Sequence, residues 1–430
     1  MKAIFKHVVV QILTFEAKLL LRRTKPTIIA VTGSVGKTAT KDAIYEVVKG
    51  TYRTRKSEKS YNSEIGVPLT VLGLANAWNS PVGWIKNIID GLITVIHPGD
   101  YPKLLVLEMG VDRPGDMAKH TRWVTPDVVV LTRLPDVPVH VEYFSSPQAV
   151  VAEKLTLVHA LKSDGHFVYN HDDEQIRQAA DGVRQPASGY GRYAPTDFYV
   201  TKDRVLYEHH IPSGTSFTIT HNDESAEVVV QGSVGVQHAY NFAAACAVGH
   251  LLGVSLSEAA VSLSKHIPPP GRMRVLPGIK DTVIIDDTYN SSPIATERAL
   301  SSLHEIKTAK RRIAVLGDML ELGRYSVGEH ERVGAQVAET ADILLAVGVR
   351  ARKIVEGALA YGMSEKNILQ FDDAETAGRE LQNLIAPGDV ILIKGSQGMR
   401  CERIVLEIMA EPDRASELLV RQGRAWQNRV

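Results

Sequence analysis

The stretch that most constrains this chain is Thr32 to Thr40, TGSVGKTAT. It follows the apolar run Thr27-Ile28-Ile29-Ala30-Val31, which reads as a buried strand, and it leads into a helix-favouring segment from Lys37 to Lys49 stopped by Gly50. A strand, a glycine turn and a helix start together make a phosphate cradle. Gly33 and Gly36 let the backbone of the turn, with Ser34 between them, aim its N–H groups inward, and the helix N-terminus adds a partial positive charge. Lys37 is then placed to reach terminal phosphates and the Thr38 hydroxyl to hold Mg2+. The general pattern wants a first glycine where this chain has Val31. The competing reading is a plain strand-to-helix turn with a solvated lysine.

A chain of 430 residues has material for two or three domains. Its 49 basic and 49 acidic residues cancel, which argues against a general nucleic-acid surface. The two cysteines, Cys246 and Cys401, offer no zinc or disulfide framework and read as small core residues of a protein in a reducing, cytoplasmic compartment. Ile4 to Leu21 is largely apolar but carries Lys6, Glu16 and Lys18 and lacks a small-residue cleavage site, so neither a signal peptide nor a membrane span is expected. An amphipathic helix over residues 1–26 remains, packed on the protein or lying on the inner membrane surface, with packing favoured. Trp84 to Ile96 is a second apolar segment, so residues 4–21 and 84–96 are the candidate membrane contacts.

Along the chain, Tyr52-Arg53-Thr54 reads as a short strand, and Tyr61-Asn62-Ser63-Glu64 as an ordered loop before a helix, equally a substrate contact or a solvated connector. Lys103 to Met109 is a buried parallel strand that sets Glu108 at the carboxyl end where ligands bind, placing a potential Mg2+ ligand near the phosphate turn. A second strand, Asp127 to Thr132, leads to a loop holding His140. In the following helix Lys154 falls on the apolar face, between Val150 and Val151 on one side and Leu157 and Val158 on the other. Such a lysine either snorkels out or is held neutral, the form that captures carbon dioxide as a carbamate and could then bind a second Mg2+.

From Asp197 to Val230 four short alternating runs read as antiparallel hairpins appended to the nucleotide domain. Residues 235–241 then open a small-residue helix from Phe242 to Leu252, with Asn241 either capping, packing or holding an adenine edge. The break at His266-Ile-Pro-Pro-Pro-Gly271 separates a central domain, 27–267, from a C-terminal domain, 268–430. The second domain alternates strand and helix as a doubly wound, Rossmann-like unit whose ligand edge carries Asp287, Tyr289, Asn290, Asp318, Lys394 and Ser396. Residues 414–430 read as a final helix or a frayed tail. The expected class is α/β throughout: a P-loop ATPase domain with a parallel sheet and a small antiparallel part, followed by the Rossmann-like domain.

Together the stretches TGSVGKT, YNSEIGVPLTVL, LVLEMGVDRPGDM, HVEYF, the Lys154 helix, YNFAAA, PPPGRMR, IIDDTYNSSP, LGDMLELG and LIKGSQGMR resemble the Mur ligase family, the ATP-dependent amide ligases of cell-wall peptidoglycan precursor synthesis. They resemble most the branch whose members add D-alanyl-D-alanine to a muramoyl tripeptide. The resemblance implies that Lys37 and Thr38 meet the γ-phosphate and Mg2+, Glu108 binds Mg2+, and His140 the second metal. It also places Lys154 on the carbamylated lysine, Asn241 against adenine, Asp287 with Asn290 at the ribose side, and Arg272 against the phosphates, with Lys37, His140, Lys154 and Arg272 as the catalytic set. An acceptor carboxylate and an amino acid or dipeptide would be the substrates, with no nucleic acid involved. Members of that branch carry a uridine-nucleotide-binding domain ahead of the phosphate loop, where this sequence has about thirty residues; a lipid-linked or otherwise carried acceptor is therefore a further expectation. The rival readings are a pseudomurein-type or glutamyl ligase, a P-loop kinase or ATPase switch, and a non-catalytic nucleotide-binding scaffold.

Overall fold

The computed structural model describes residues 3–58, 61–193, 196–423 and 426, and two sheets organise them. The first contains β1 (Thr27–Thr32), β2 (Thr54–Lys56), β3 (Leu104–Glu108), β4 (Val128–Leu131), β5 (His166–Asn170), β6 (Ala187–Gly191), β7 (Phe198–Glu208), β8 (Ile211–His221) and β9 (Glu224–Gln231). Their order is β2-β3-β1-β4-β5-β6-β7-β8-β9, parallel as far as β7 and antiparallel beyond it. Because side chains alternate along a strand, Ile28 and Ala30 of β1 join the core on one face while Ile29 and Val31 join the core on the other. Such two-sided burial is what a continuous apolar run encodes, and it contributes about 1.5–3 kcal/mol for each large aliphatic side chain.

Two expectations are corrected here. The runs between Asp197 and Val230 pair antiparallel as expected, β7 with β8 and β8 with β9, but they continue the main sheet and form no appended unit, and β7 is one bulged strand spanning two of the expected runs. The strand expected at Tyr52–Thr54 begins instead at Thr54, where it meets Leu104 of β3.

One face carries α1 (Ala3–Thr24), α3 (Gly66–Leu72), α4 (Pro81–Ile96), α5 (Asp116–Thr121) and α6 (Pro147–His159); α7 (Glu174–Asp181) adds Ile176 to the same core. The other face carries α2 (Lys37–Val48) and α8 (Gln237–Leu251). The alanine run of α8 allows α2 to approach closely, since a Cβ on Gly249 would lie 2.6 Å from Val47 Cγ1. Helix α8 starts five residues before the expected Phe242, so Asn241 is buried inside it and caps nothing. Helix α1 packs through Val9, Leu13, Ala17 and Leu20, as favoured, and no helix among the described residues is long and apolar enough to cross a membrane.

The second sheet holds β10 (Arg274–Gly278), β11 (Thr282–Asp287), β12 (Arg311–Gly317), β13 (Ile343–Val347), β14 (Ile368–Phe371) and β15 (Asp389–Lys394), in the order β10-β11-β15-β12-β13-β14. Only the β10–β11 pairing is antiparallel. Of residues 414–430, expected as a helix or a frayed tail, Ala415–Leu418 forms a short helix, and 424, 425 and 427–430 lie outside the described residues.

Candidate functional site

The turn after β1 is held from below. Gly33 has φ +141° and Gly36 +90°, values that favour glycine, and the Thr132 hydroxyl beneath them shares its one proton between Val35 O (2.7 Å) and Thr32 O (3.1 Å). A Cβ on Gly33 would lie 2.1 Å from Thr132 Oγ1, and one on Gly36 would lie 3.0 Å from Asn241 Oδ1. Asn241 also accepts from Thr40 Oγ1 at 3.1 Å, so α8 supports the first turn of α2. Lys37 curls over the turn, donating to Gly33 O (2.8 Å) and Ser34 O (3.2 Å). Burial lowers its pKa, opposed by the charge of Glu108.

Glu108 ends β3 as expected, fully buried. Its Oε1 accepts from Asn62 Nδ2 at 2.9 Å, whereas Oε2 has no hydrogen-bond partner among the described residues and lies 3.8 Å from Lys41 Nζ. A buried carboxylate oxygen left open toward a phosphate turn suits a divalent cation. Asn62 is set by the Tyr61–Glu64 loop, whose backbone bonds to Gly110 N at 2.9 Å, so that loop is a built part of the site and not a solvated connector.

Lys154 is 1% exposed and does not snorkel, which corrects that reading of its position. Among the described residues it makes no hydrogen bond or ion pair. Burial first, and then the nearby Lys37, lower its pKa to about 7. His140 lines the same cavity as Glu108 and is held by carboxylates. Its Nδ1 is 2.9 Å from Glu321 Oε2 and its Nε2 3.5 Å from Asp112 Oδ1, and His140 holds the Glu321 carboxyl below its usual range. Among the described residues no three His, Cys, Asp or Glu side chains gather as a ready metal site.

The second sheet closes the site. A cavity of about 280 Å³ is lined by the phosphate turn, Glu108, His140 and Asn241 from the first sheet and by Arg272, Asp287, Asn290 and Lys394 from the second. The Arg272 guanidinium stacks 4.0 Å from the Tyr289 ring centre and acts by its charge on Lys37. Asp287 is engaged by Lys394 Nζ at 2.6 Å, and the same ammonium donates to Asn290 O at 2.9 Å. Asp318 accepts from Ala351 N at 2.7 Å, and Ser396, whose Oγ accepts from Leu320 N at 2.9 Å, lines a neighbouring cavity with His140, Asn290 and Glu321.

Sequence reasoning missed Lys41, Asp112 and Glu321 as neighbours of the site. Asp112 carried a usable signal, since it lies just past the carboxyl end of β3. Glu321 carried none, because its partner His140 is far away in sequence and on the other sheet.

This arrangement defines a class: an α/β nucleotide-phosphate site on a glycine turn, closed by a second doubly wound sheet. Residues 31–249 match the Mur ligase middle domain, and residues 271–397 the Mur ligase glutamate ligase domain. The chain belongs to the Mur ligase family. The UDP-N-acetylmuramoyl-tripeptide–D-alanyl-D-alanine ligase of Bacillus subtilis is 28% identical to it over 397 residues, 92% of this chain and 79% of that protein. The ligase of the same name from Mycobacterium leprae is 30% identical, covering 87% and 71%. The MurF ligase of Thermotoga maritima, solved in complex with ADP, superposes with a TM-score of 0.75 at 25% identity over 92% of this chain and 82% of that one. A pseudomurein peptide ligase of Methanothermus fervidus, 17% identical with a TM-score of 0.63 over 89% and 79% of the chains, shares the fold.

Proposed function

We propose that this chain is an ATP-dependent carboxylate–amine ligase that joins D-alanyl-D-alanine to the terminal carboxylate of a UDP-muramoyl tripeptide. The observation that carries the reading is the convergence, around one cavity between two sheets, of the Lys37 and Arg272 cations with the open oxygen of Glu108. The names of the relatives in Bacillus subtilis and Mycobacterium leprae supply the substrates. The division into a central domain, 27–267, and a C-terminal domain, 268–430, belongs to the same proposal and is supported by the two separate sheets.

An acceptor carboxylate oxygen attacks the γ-phosphorus of ATP, ADP leaves, and an acyl phosphate forms; the dipeptide amine then attacks the acyl carbon, loses a proton and expels phosphate. Two anions must meet in the first step, and Lys37 and Arg272 offset their repulsion. The backbone N–H groups of the Gly33–Lys37 turn, except that of Ser34, which donates to Arg133 O at 2.7 Å, hold the phosphates. Thr38 and Glu108 would hold one Mg2+, which neutralises phosphate charge when bound, and His140 with a carbamylated Lys154 a second. Support for the carbamate is that Lys154 is buried, has no partner among the described residues, and has its pKa lowered by burial toward the neutral amine. Asn241 and Asn290 line the nucleotide cavity, while Asp287 would reach a ribose only by sharing or releasing Lys394. The second sheet and its loops shield the acyl phosphate from water.

Phosphate release by the purified chain should require the tripeptide acceptor and the dipeptide together, and Lys37→Ala should abolish it. ATP turnover indifferent to the amine, with no amide product, would overturn the assignment in favour of an ATPase or kinase.

A further inference from the structure

Helix α4 turns a long apolar stripe to solvent. A helix on a globular protein normally turns its apolar stripe inward and its polar face to water. Here the inward face joins the core through Trp84, with Ile88 and Val95 packed beside it, and is completed by Gly91 beneath the Glu16 carboxylate of α1 and by Asn87, which donates to Ala75 O at 2.8 Å; Trp84 donates its ring N–H to Trp78 O at 2.9 Å. The outward face repeats at helical spacing as Val82, Ile85, Ile89, Leu92, Ile93 and Ile96, each between 48% and 75% exposed. Sixteen residues of helix make this stripe about 24 Å long. Phe15 and Val8 add exposed apolar surface on α1, which runs beside α4.

Charge identifies the occupant. The chain as a whole is neutral, yet α1 and α4 carry Lys6, Lys18, Arg22, Arg23 and Lys86 against only Asp90 and the buried Glu16. Lys25 continues the cluster, and Arg23 donates to Val95 O at 3.0 Å, which places the Arg22–Lys25 cations at the Ile96 end of the stripe. An aliphatic ridge with Phe15 beside it and cations at its edge, on a convex helix face, fits acyl chains below anionic headgroups. We propose that the α1–α4 surface docks this protein on an anionic lipid bilayer, with α4 lying in the plane of the interface. The proposal stands apart from the ligase chemistry, and its readout is separate.

The test is cosedimentation of the full chain with phosphatidylcholine vesicles with and without phosphatidylglycerol, alongside light scattering in the absence of lipid. The wild type should bind the anionic vesicles at least tenfold more tightly than the neutral ones. Ile89→Glu with Ile93→Glu should reduce that binding at least tenfold, and Arg22→Gln with Arg23→Gln several-fold. Unchanged thermal unfolding and ADP binding would establish that these variants fold. Failure of the wild type to bind either vesicle overturns the proposal, as does self-association through the same residues without lipid binding, which would make the face a contact between copies. Lipid binding indifferent to both double variants overturns it as well.

Discussion

Gly33→Ala tests the architecture of the phosphate turn in a way that can be worked from distances. The new Cβ would stand 2.1 Å from Thr132 Oγ1, so the hydroxyl must move and forfeit the hydrogen bond it shares between Thr32 O and Val35 O. That bond, made by a single proton, is worth about 1 kcal/mol, and holding a non-glycine residue at φ +141° adds about 1–3 kcal/mol. A loss of about 2–4 kcal/mol is expected in urea unfolding, with a parallel loss of ADP affinity in calorimetry. In a Thr132→Ala background the hydroxyl is already gone, and the same substitution should cost only the backbone part, leaving a coupling of about 1 kcal/mol. Equal costs in the two backgrounds, or no cost in either, would refute the argument that Thr132 shapes the turn.

Three other perturbations probe separate parts of the structure. Lys154 is held near pKa 7, so its neutral form declines as pH falls below about 7, and ligase activity should fall with it unless bicarbonate is added; activity independent of bicarbonate across that range would count against a carbamate. Burial raises Glu16 to about 7, so the folded chain keeps a proton that the unfolded chain releases, and stability should decline as pH rises from about 4.5 to about 7. Glu16→Gln should therefore unfold about 2–3 kcal/mol later than the native chain at pH 8 and show little difference near pH 4, with equal stabilities at pH 8 as the contrary result. Asn62→Ala removes the hydrogen bond to Glu108 Oε1, and a destabilisation of about 1–3 kcal/mol should shrink when Mg2+ and ADP are supplied; a gap that metal and nucleotide leave unchanged would speak against a cation at Glu108.

The local parts of this protein were legible in its sequence because their causes are local. A glycine turn between an apolar run and a helix start fixes the phosphate cradle within nine residues, and Ser146 caps α6 by accepting from Ala149 N at 3.2 Å, as Ser-Pro implies. Continuous apolar runs specified β1, β3 and β4, and the carboxyl end of β3 specified where Glu108 would stand. Tertiary structure decided what depends on neighbours distant in the chain. Whether Lys154 snorkelled or stayed buried turned on the packing around α6, and whether the runs after Asp197 stood apart or joined the sheet turned on the β6–β7 pairing. His140 met Glu321 only because the two sheets close on each other. The outward apolar face of α4 likewise follows from the seating of Trp84, Asn87 and Gly91: periodicity reveals that a helix has two faces, and only its packing partners decide which one water sees.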